Sequence, residues 1–156
     1  MRVLGIDLGQ RRIGVAISDA TATLARPLKT IERGASDEQA VEILRELVEA
    51  TDAEVGSDEA IGRLVVGLPT RLDGSPNDQT ARARKMVALL SARLAIPVAL
   101  QDERLSSHEA EERLSMREKD WRKRKARLDA AAAAVILQDY LDASKGQRAE
   151  GRGQTE

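Results

Sequence analysis

The chain of 156 residues carries 25 basic and 26 acidic side chains, a net charge of −1, and no cysteine. Disulfides and thiolate metal centres are therefore excluded, and no apolar run approaches the ~20 residues that a membrane-spanning helix requires. With one Trp, one Tyr and no Phe, the core has to be aliphatic, and base stacking on an aromatic platform is a poor mode of nucleic-acid recognition for it. The N-terminus shows no signal-peptide pattern, so the expectation is a cytoplasmic protein with no membrane partner.

Residues 3–8 and 13–18 read as two short strands joined by Gly9-Gln10-Arg11-Arg12. Thr23 to Ile31 reads as a third, with Pro27 confining it to an edge or a bulge. Ser36 and Gln39 form a capping box, and Ala40, Val41, Leu44, Leu47 and Val48 behind it keep helical spacing. Leu64-Val65-Val66-Gly67-Leu68 is apolar without interruption, as expected of a central strand covered on both faces. Pro69 and Asp73-Gly74 end it. A second helix is predicted from about Asp78 to Leu94, and a strand from Pro97 to Asp102. Another capping box, Ser106 with Glu109, opens a helix carrying Leu114, and His108 follows that cap. A basic linker then leads to a last helix over roughly Ala126 to Ala143.

This order predicts an α/β domain with a mixed sheet and helices on both faces. A single domain over residues 1–143 is expected, with the polar, Gly-rich residues 144–156 as a disordered tail.

Three acids stand at element ends. Asp7 closes the first strand between Gly5 and Gly9, where an open α/β sheet places its ligands. A solvated strand-end aspartate is the plain alternative. Asp129 precedes Ala130 to Ala134 and Val135-Ile136-Leu137, a helix apolar nearly all round, where a buried carboxylate costs several kcal/mol unless a cation or strong donors compensate. Its alternative is a helix-start residue facing water or the helix dipole. Asp102-Glu103-Arg104 ends a strand, and alternation lets at most one of the two acids face the others. Converging carboxylates suit Mg2+ or Mn2+, hard cations with oxygen ligands. A pair of such ions can activate water and stabilise a leaving oxygen in phosphodiester cleavage. No cysteine nucleophile, Walker-type loop or serine elbow competes with that chemistry, and a lone His108 cannot support a paired-histidine mechanism.

Charge is unevenly spread. Arg117 to Arg127 has seven basic and two acidic residues, whereas Glu32 to Glu59 has ten acids against Arg33 and Arg45. The basic run, with Arg122, Lys123, Arg124, Lys125 and Arg127, leads directly into Asp129 and could hold phosphates there. A solvated face is the alternative, and the better reading for the acidic stretch.

Taken together, four segments resemble the YqgF family, also called RuvX, relatives of the RuvC Holliday-junction resolvases within the ribonuclease H-like fold. They are Gly5-Ile6-Asp7-Leu8-Gly9 with Arg12-Ile13-Gly14-Val15-Ala16 and Ser18-Asp19; Val65-Val66-Gly67-Leu68-Pro69 with Asp73-Gly74-Ser75; Asp102-Glu103-Arg104-Leu105-Ser106; and Asp129 through Ala132-Ala133 to Ile136-Leu137-Gln138-Asp139-Tyr140-Leu141. The resemblance covers about residues 2–142.

It implies a ribonuclease H-like five-stranded sheet and a metal-dependent nuclease. The family is associated with ribosome biogenesis, through maturation of the 5′ end of pre-16S rRNA. The resemblance maps Asp7, Glu103 and Asp129 as catalytic metal ligands for Mg2+ or Mn2+, and Arg12, Arg104, Lys123 and Lys125 as substrate contacts. Met86 stands where the family would carry phenylalanine, Trp121 sits in an otherwise polar linker, and Thr51 to Gly62 is longer than usual. RNA, a ribosomal RNA precursor, is the expected partner ahead of branched DNA, for a monomer or a homodimer. Cleavage of four-way junctions and a non-catalytic ribosome-assembly or nucleic-acid-binding module are the rival readings. Sugar-kinase-like ATPases also open on Gly-Ile-Asp-Leu-Gly, but they need a second domain that this chain has no room for.

Overall fold

The computed structural model describes residues 1–9, 11–56, 59–68, 78–102 and 121–153, with side chains at 68, 78–79, 102, 121–127 and 146–153 left aside. Five strands, β1 (Arg2–Leu8), β2 (Arg12–Ser18), β3 (Ala25–Glu32), β4 (Ile61–Leu68) and β5 (Val98–Asp102), form one sheet in the order β3-β2-β1-β4-β5. The helices are α1 (Asp37–Val55), α2 (Asp78–Arg93) and α3 (Trp121–Gly153). The expected Ser106 helix lies outside the described residues.

β1, β2 and β3 pair antiparallel as a meander, and β4 and β5 add in parallel on the other side of β1. The parallel pairings are reached through α1 and α2, since a parallel neighbour requires a crossover. β3 is an edge strand, and its register slips opposite Val15 and Ala16, next to Pro27. Pro27 has no N–H to give a ladder, so the edge and the irregularity suit it. Where the β1–β2 ladder ends, the Val3 amide donates to Ser18 Oγ at 2.8 Å.

Ser36 caps α1, its hydroxyl accepting the Gln39 amide at 3.1 Å, while the Gln39 side chain accepts from Ala35 at 2.8 Å rather than from Ser36 itself. Gly56 ends α1 at φ 82°, a left-handed value that favours glycine.

The two sheet faces are filled differently. Leu4, Ile6, Ile13, Val15, Leu64 and Val66 meet Ala40, Val41 and Leu44 of α1 and Met86 and Leu90 of α2. On the other face Val3, Ala16 and Val65 meet Ala133, Ile136, Leu137 and Leu141 of α3. Met86, in place of the expected aromatic residue, is wholly buried. Gln138 fastens α3 to β3, accepting the Ala25 amide at 2.9 Å and donating to the Thr23 carbonyl at 3.1 Å.

α3 departs from expectation at both ends. It begins at Trp121 rather than Ala126, and its backbone stays helical to Gly153 rather than stopping at Ala143. Arg122 to Lys125 and Gln147 to Glu150 are strong helix formers, and isolated glycines are tolerated between them. Residues 121–127 of the basic stretch read as a linker are therefore helix. Among the described residues no helix is long and apolar enough to cross a membrane.

Candidate metal and nucleic-acid site

Alternation along β1 puts Val3, Gly5 and Asp7 on the face covered by α3. Val3 packs in the α3 cluster, and a Cβ built on Gly5 would stand 2.7 Å from Leu137 Cβ and 3.3 Å from the Ala133 carbonyl oxygen. Leu137, Ala133 and Asp129 are spaced by four and so form one helical stripe. Moving from Gly5 to Asp7 advances about 6.6 Å along the strand, and moving from Ala133 to Asp129 advances about 6 Å along the helix. The helix therefore brings Asp129 to the level of Asp7.

β2 fixes the same point independently. Asp7 is the direct register partner of Gly14. A Cβ on Gly14 would lie 1.9 Å from the Asp129 carbonyl oxygen and 3.0 Å from the Ala130 nitrogen. The α3 backbone thus rests on Gly14, about 5 Å across the ladder from the Asp7 backbone. Only a residue without a side chain permits that approach, and Ala16, next on the same face, keeps the channel shallow.

Both aspartates are half-buried. Asp129 stands two turns inside α3 (Trp121–Gly153), beyond the first turn in which the helix dipole acts. Ala130, Ala132 and Ala133, which follow it on the helix, are all buried.

Arg12 opens β2 on the same face as Gly14 and Ala16. Its carbonyl accepts the Gly9 amide at 2.8 Å, which closes the turn after Asp7. Asp7, Asp129 and Arg12 are therefore gathered at one end of one face. Asp102 is the last residue of β5 and pairs with Leu68, while Gln101 pairs with Gly67. This register gives position 102 the parity of Val98, which packs toward α1 and α2, and gives 101 the parity of the α3 face. Glu103 and Arg104 lie outside the described residues, as does His108. Arg122, Lys123 and Lys125 occupy the first turns of α3, with Lys125 one turn before Asp129.

Oxygen donors from facing elements over a glycine floor match a hard divalent cation in chemistry. Among the described residues no three potential ligands cluster, the third expected acid being Glu103. Neither the close seat of Asp129 on Gly14 nor the Arg33 contact to Gly9 (3.2 Å) was read from the sequence. The alternation of Gly14 with Ala16 opposite Gly5 was the available signal for the first.

The RuvX family model, described as a Holliday junction resolvase, matches residues 1–143. A protein of Anaeromyxobacter dehalogenans named "Putative pre-16S rRNA nuclease" is 44% identical over 142 residues, covering 91% of this chain and 97% of the relative. A protein of the same name from Maridesulfovibrio salexigens is 41% identical over 141 residues, covering 90% and 98%. Among solved structures, T. thermophilus RuvC in complex with a Holliday junction substrate superposes with a TM-score of 0.53 at 17% identity, covering 94% of this chain and 97% of RuvC. At that identity the likeness is one of fold, the ribonuclease H-like arrangement.

Proposed function

The chain belongs to the RuvX family, and from that premise we propose that it is a metal-dependent nuclease that processes the 5′ end of pre-16S rRNA in the cytoplasm. The observation that carries this reading is the seat of the Asp129 backbone on Gly14, the direct register partner of Asp7. The name shared by the curated relatives supports RNA as the substrate.

Asp7, Asp129 and Glu103 would hold Mg2+ or Mn2+. Held there, such an ion would supply the acidity that activates an attacking water and the charge that stabilises a leaving oxygen. Gly14 lets α3 bring its carboxylate down to the sheet. Arg12, on the same face, binds a phosphate next to the acids, and its cationic fork suits that task. Arg104, Arg122, Lys123 and Lys125 extend the phosphate track, with position 125 on the helical stripe of Asp129. Few aromatics are available for stacking, so recognition rests on phosphates and shape, with modest sequence preference.

A second reading, cleavage of four-way DNA junctions, is favoured by the description of the matching family model. Symmetric cutting would then require a two-fold dimer. Purified protein with labelled ribosomal RNA precursor and labelled junction, each with Mn2+ and with chelator, separates the two. Metal-dependent RNA cleavage is expected. Symmetric cutting of the junction with the RNA left intact would overturn the RNA assignment, and inertness toward both would leave a binding module.

A further inference from the structure

Arg33 is a charged residue outside the acidic site. It follows β3 immediately, and its side chain is only 13% exposed. One guanidinium nitrogen donates to the carbonyl of Gly9 at 3.2 Å, and another pairs with the Asp37 carboxylate. Its own amide donates to the Arg11 carbonyl at 3.0 Å. Asp37 stands in the first turn of α1, where the helix terminus favours a negative charge, and Lys85 of α2 approaches its other oxygen at 3.8 Å. A chain of contacts therefore runs from α2 through α1 to the turn between Asp7 and Arg12.

We propose that Arg33 is a positioning residue for the acidic site, locking the β1–β2 turn so that Asp7 and Arg12 stay aimed at Asp129. The inference rests on the nuclease reading of that site. The turn has a single internal backbone tie, Gly9 to Arg12, among its described residues. Past Leu8 paired with Ile13 the β1–β2 ladder ends, and the Arg33 side chain on the Gly9 carbonyl, with its amide on Arg11, adds the ties from the end of β3 that hold the strand end. A planar guanidinium holds a carbonyl and a carboxylate at once, whereas lysine offers a single point charge. The contacts of Arg33 are to Gly9, Arg11 and Asp37, so it acts through the backbone two residues beyond the acid.

The test uses the full chain and Mn2+ as the probe. Arg33→Ala is expected to lower kcat on the order of ten- to a hundredfold, since misplacement of about 1 Å has that effect. It should also weaken Mn2+ binding in a calorimetric titration and speed hydrogen exchange at the Gly9 amide. Arg33→Lys should recover part of all three. Asp37→Asn keeps an acceptor and the helix start, and is expected to fall between Ala and wild type. Arg93→Ala breaks an exposed pair with Glu42 and is the control, expected to leave every readout unchanged. Wild-type Mn2+ affinity together with wild-type exchange at Gly9 in Arg33→Ala would overturn the proposal. If the wild-type chain cuts no nucleic acid, the nuclease reading fails, while titration and exchange still decide the role of Arg33.

Discussion

The two faces of the sheet are built from the same strands and do different work. Toward α1 and α2 the strands present Leu4, Ile6, Ile13, Val15, Leu64 and Val66, bulky side chains that keep the helices a full layer away. Toward α3 they present Val3, Gly5, Gly14 and Ala16, and the helix backbone comes down onto them. The first face supplies stability, each fully buried Leu, Ile or Val contributing about 1.5–3 kcal/mol. The second gives up some of that burial for proximity, and the helix backbone at Asp129 sits on the register partner of Asp7. Charge follows the same division: α1 lies in the acidic stretch, and α3 begins with the basic run.

The largest effect should come from filling the channel. Gly14→Val places atoms where the Asp129 carbonyl oxygen now lies, and backbone cannot rotate away as a side chain can. Such overpacking costs about 1–3 kcal/mol or more, and displacement of Asp129 should remove cleavage even where the chain remains folded, as circular dichroism would show. Leu44→Ala on the opposite face should cost a comparable 2–5 kcal/mol in urea unfolding. It should leave kcat within a factor of about two at temperatures where the fold persists, because α1 packing does not set the acids. Equal loss of activity per kcal/mol from the two variants would erase the distinction between the faces.

The charge division gives a third expectation. Lys123→Glu with Lys125→Glu should weaken RNA binding and flatten its salt dependence, the slope falling by about 0.7 for each phosphate of single-stranded RNA that is no longer neutralised. Glu46→Lys on α1 should change neither by more than the altered net charge does. An unaltered slope in the lysine variant would return the basic run to a solvated face.

The smallest effect lies away from both faces. Asp19, in the turn after β2, has its acidity strengthened first by the Thr23 amide, then by Leu24, Thr21 and Arg2, against opposing burial. A folded pKa below 3.8 means that its contribution is present above that value and is lost as pH falls through the folded one. Asp19→Asn should therefore flatten the acid limb of the stability curve slightly below pH 3.8 and leave neutral-pH activity alone.

Much of this was legible in the chain because the signals were local. Three strands, the Ser36 cap, the fully apolar β4 and the edge position of Pro27 follow from alternation, capping chemistry and the missing proline N–H. The start of α3 was not legible in the same way: Arg122 to Lys125 has strong helix propensity, but a charge run reads as a linker when no apolar stripe accompanies it. That misplacement made the dipole reading of Asp129 look open. The contact between Gly14 and Asp129 spans more than a hundred residues, and no local pattern in the chain announces it. Arg33 was hidden for a similar reason, since it sat within an acidic stretch read as a solvated face.

On the nuclease reading, carboxylates from β1 and α3 act as one metal-holding unit, completed by Glu103. That unit is probed by the Mn2+-dependent cleavage rate of Asp7→Asn, Asp129→Asn and the double variant, with Glu103→Gln and Asp102→Asn beside them. Residues that act as a unit are strongly non-additive. Each single variant at Asp7, Asp129 and Glu103 should abolish cleavage with the fold intact, the double should be no worse than either single, and Asp102→Asn should keep substantial activity. Full activity of Asp7→Asn or Asp129→Asn, or wild-type cleavage that persists in excess chelator, would contradict the account.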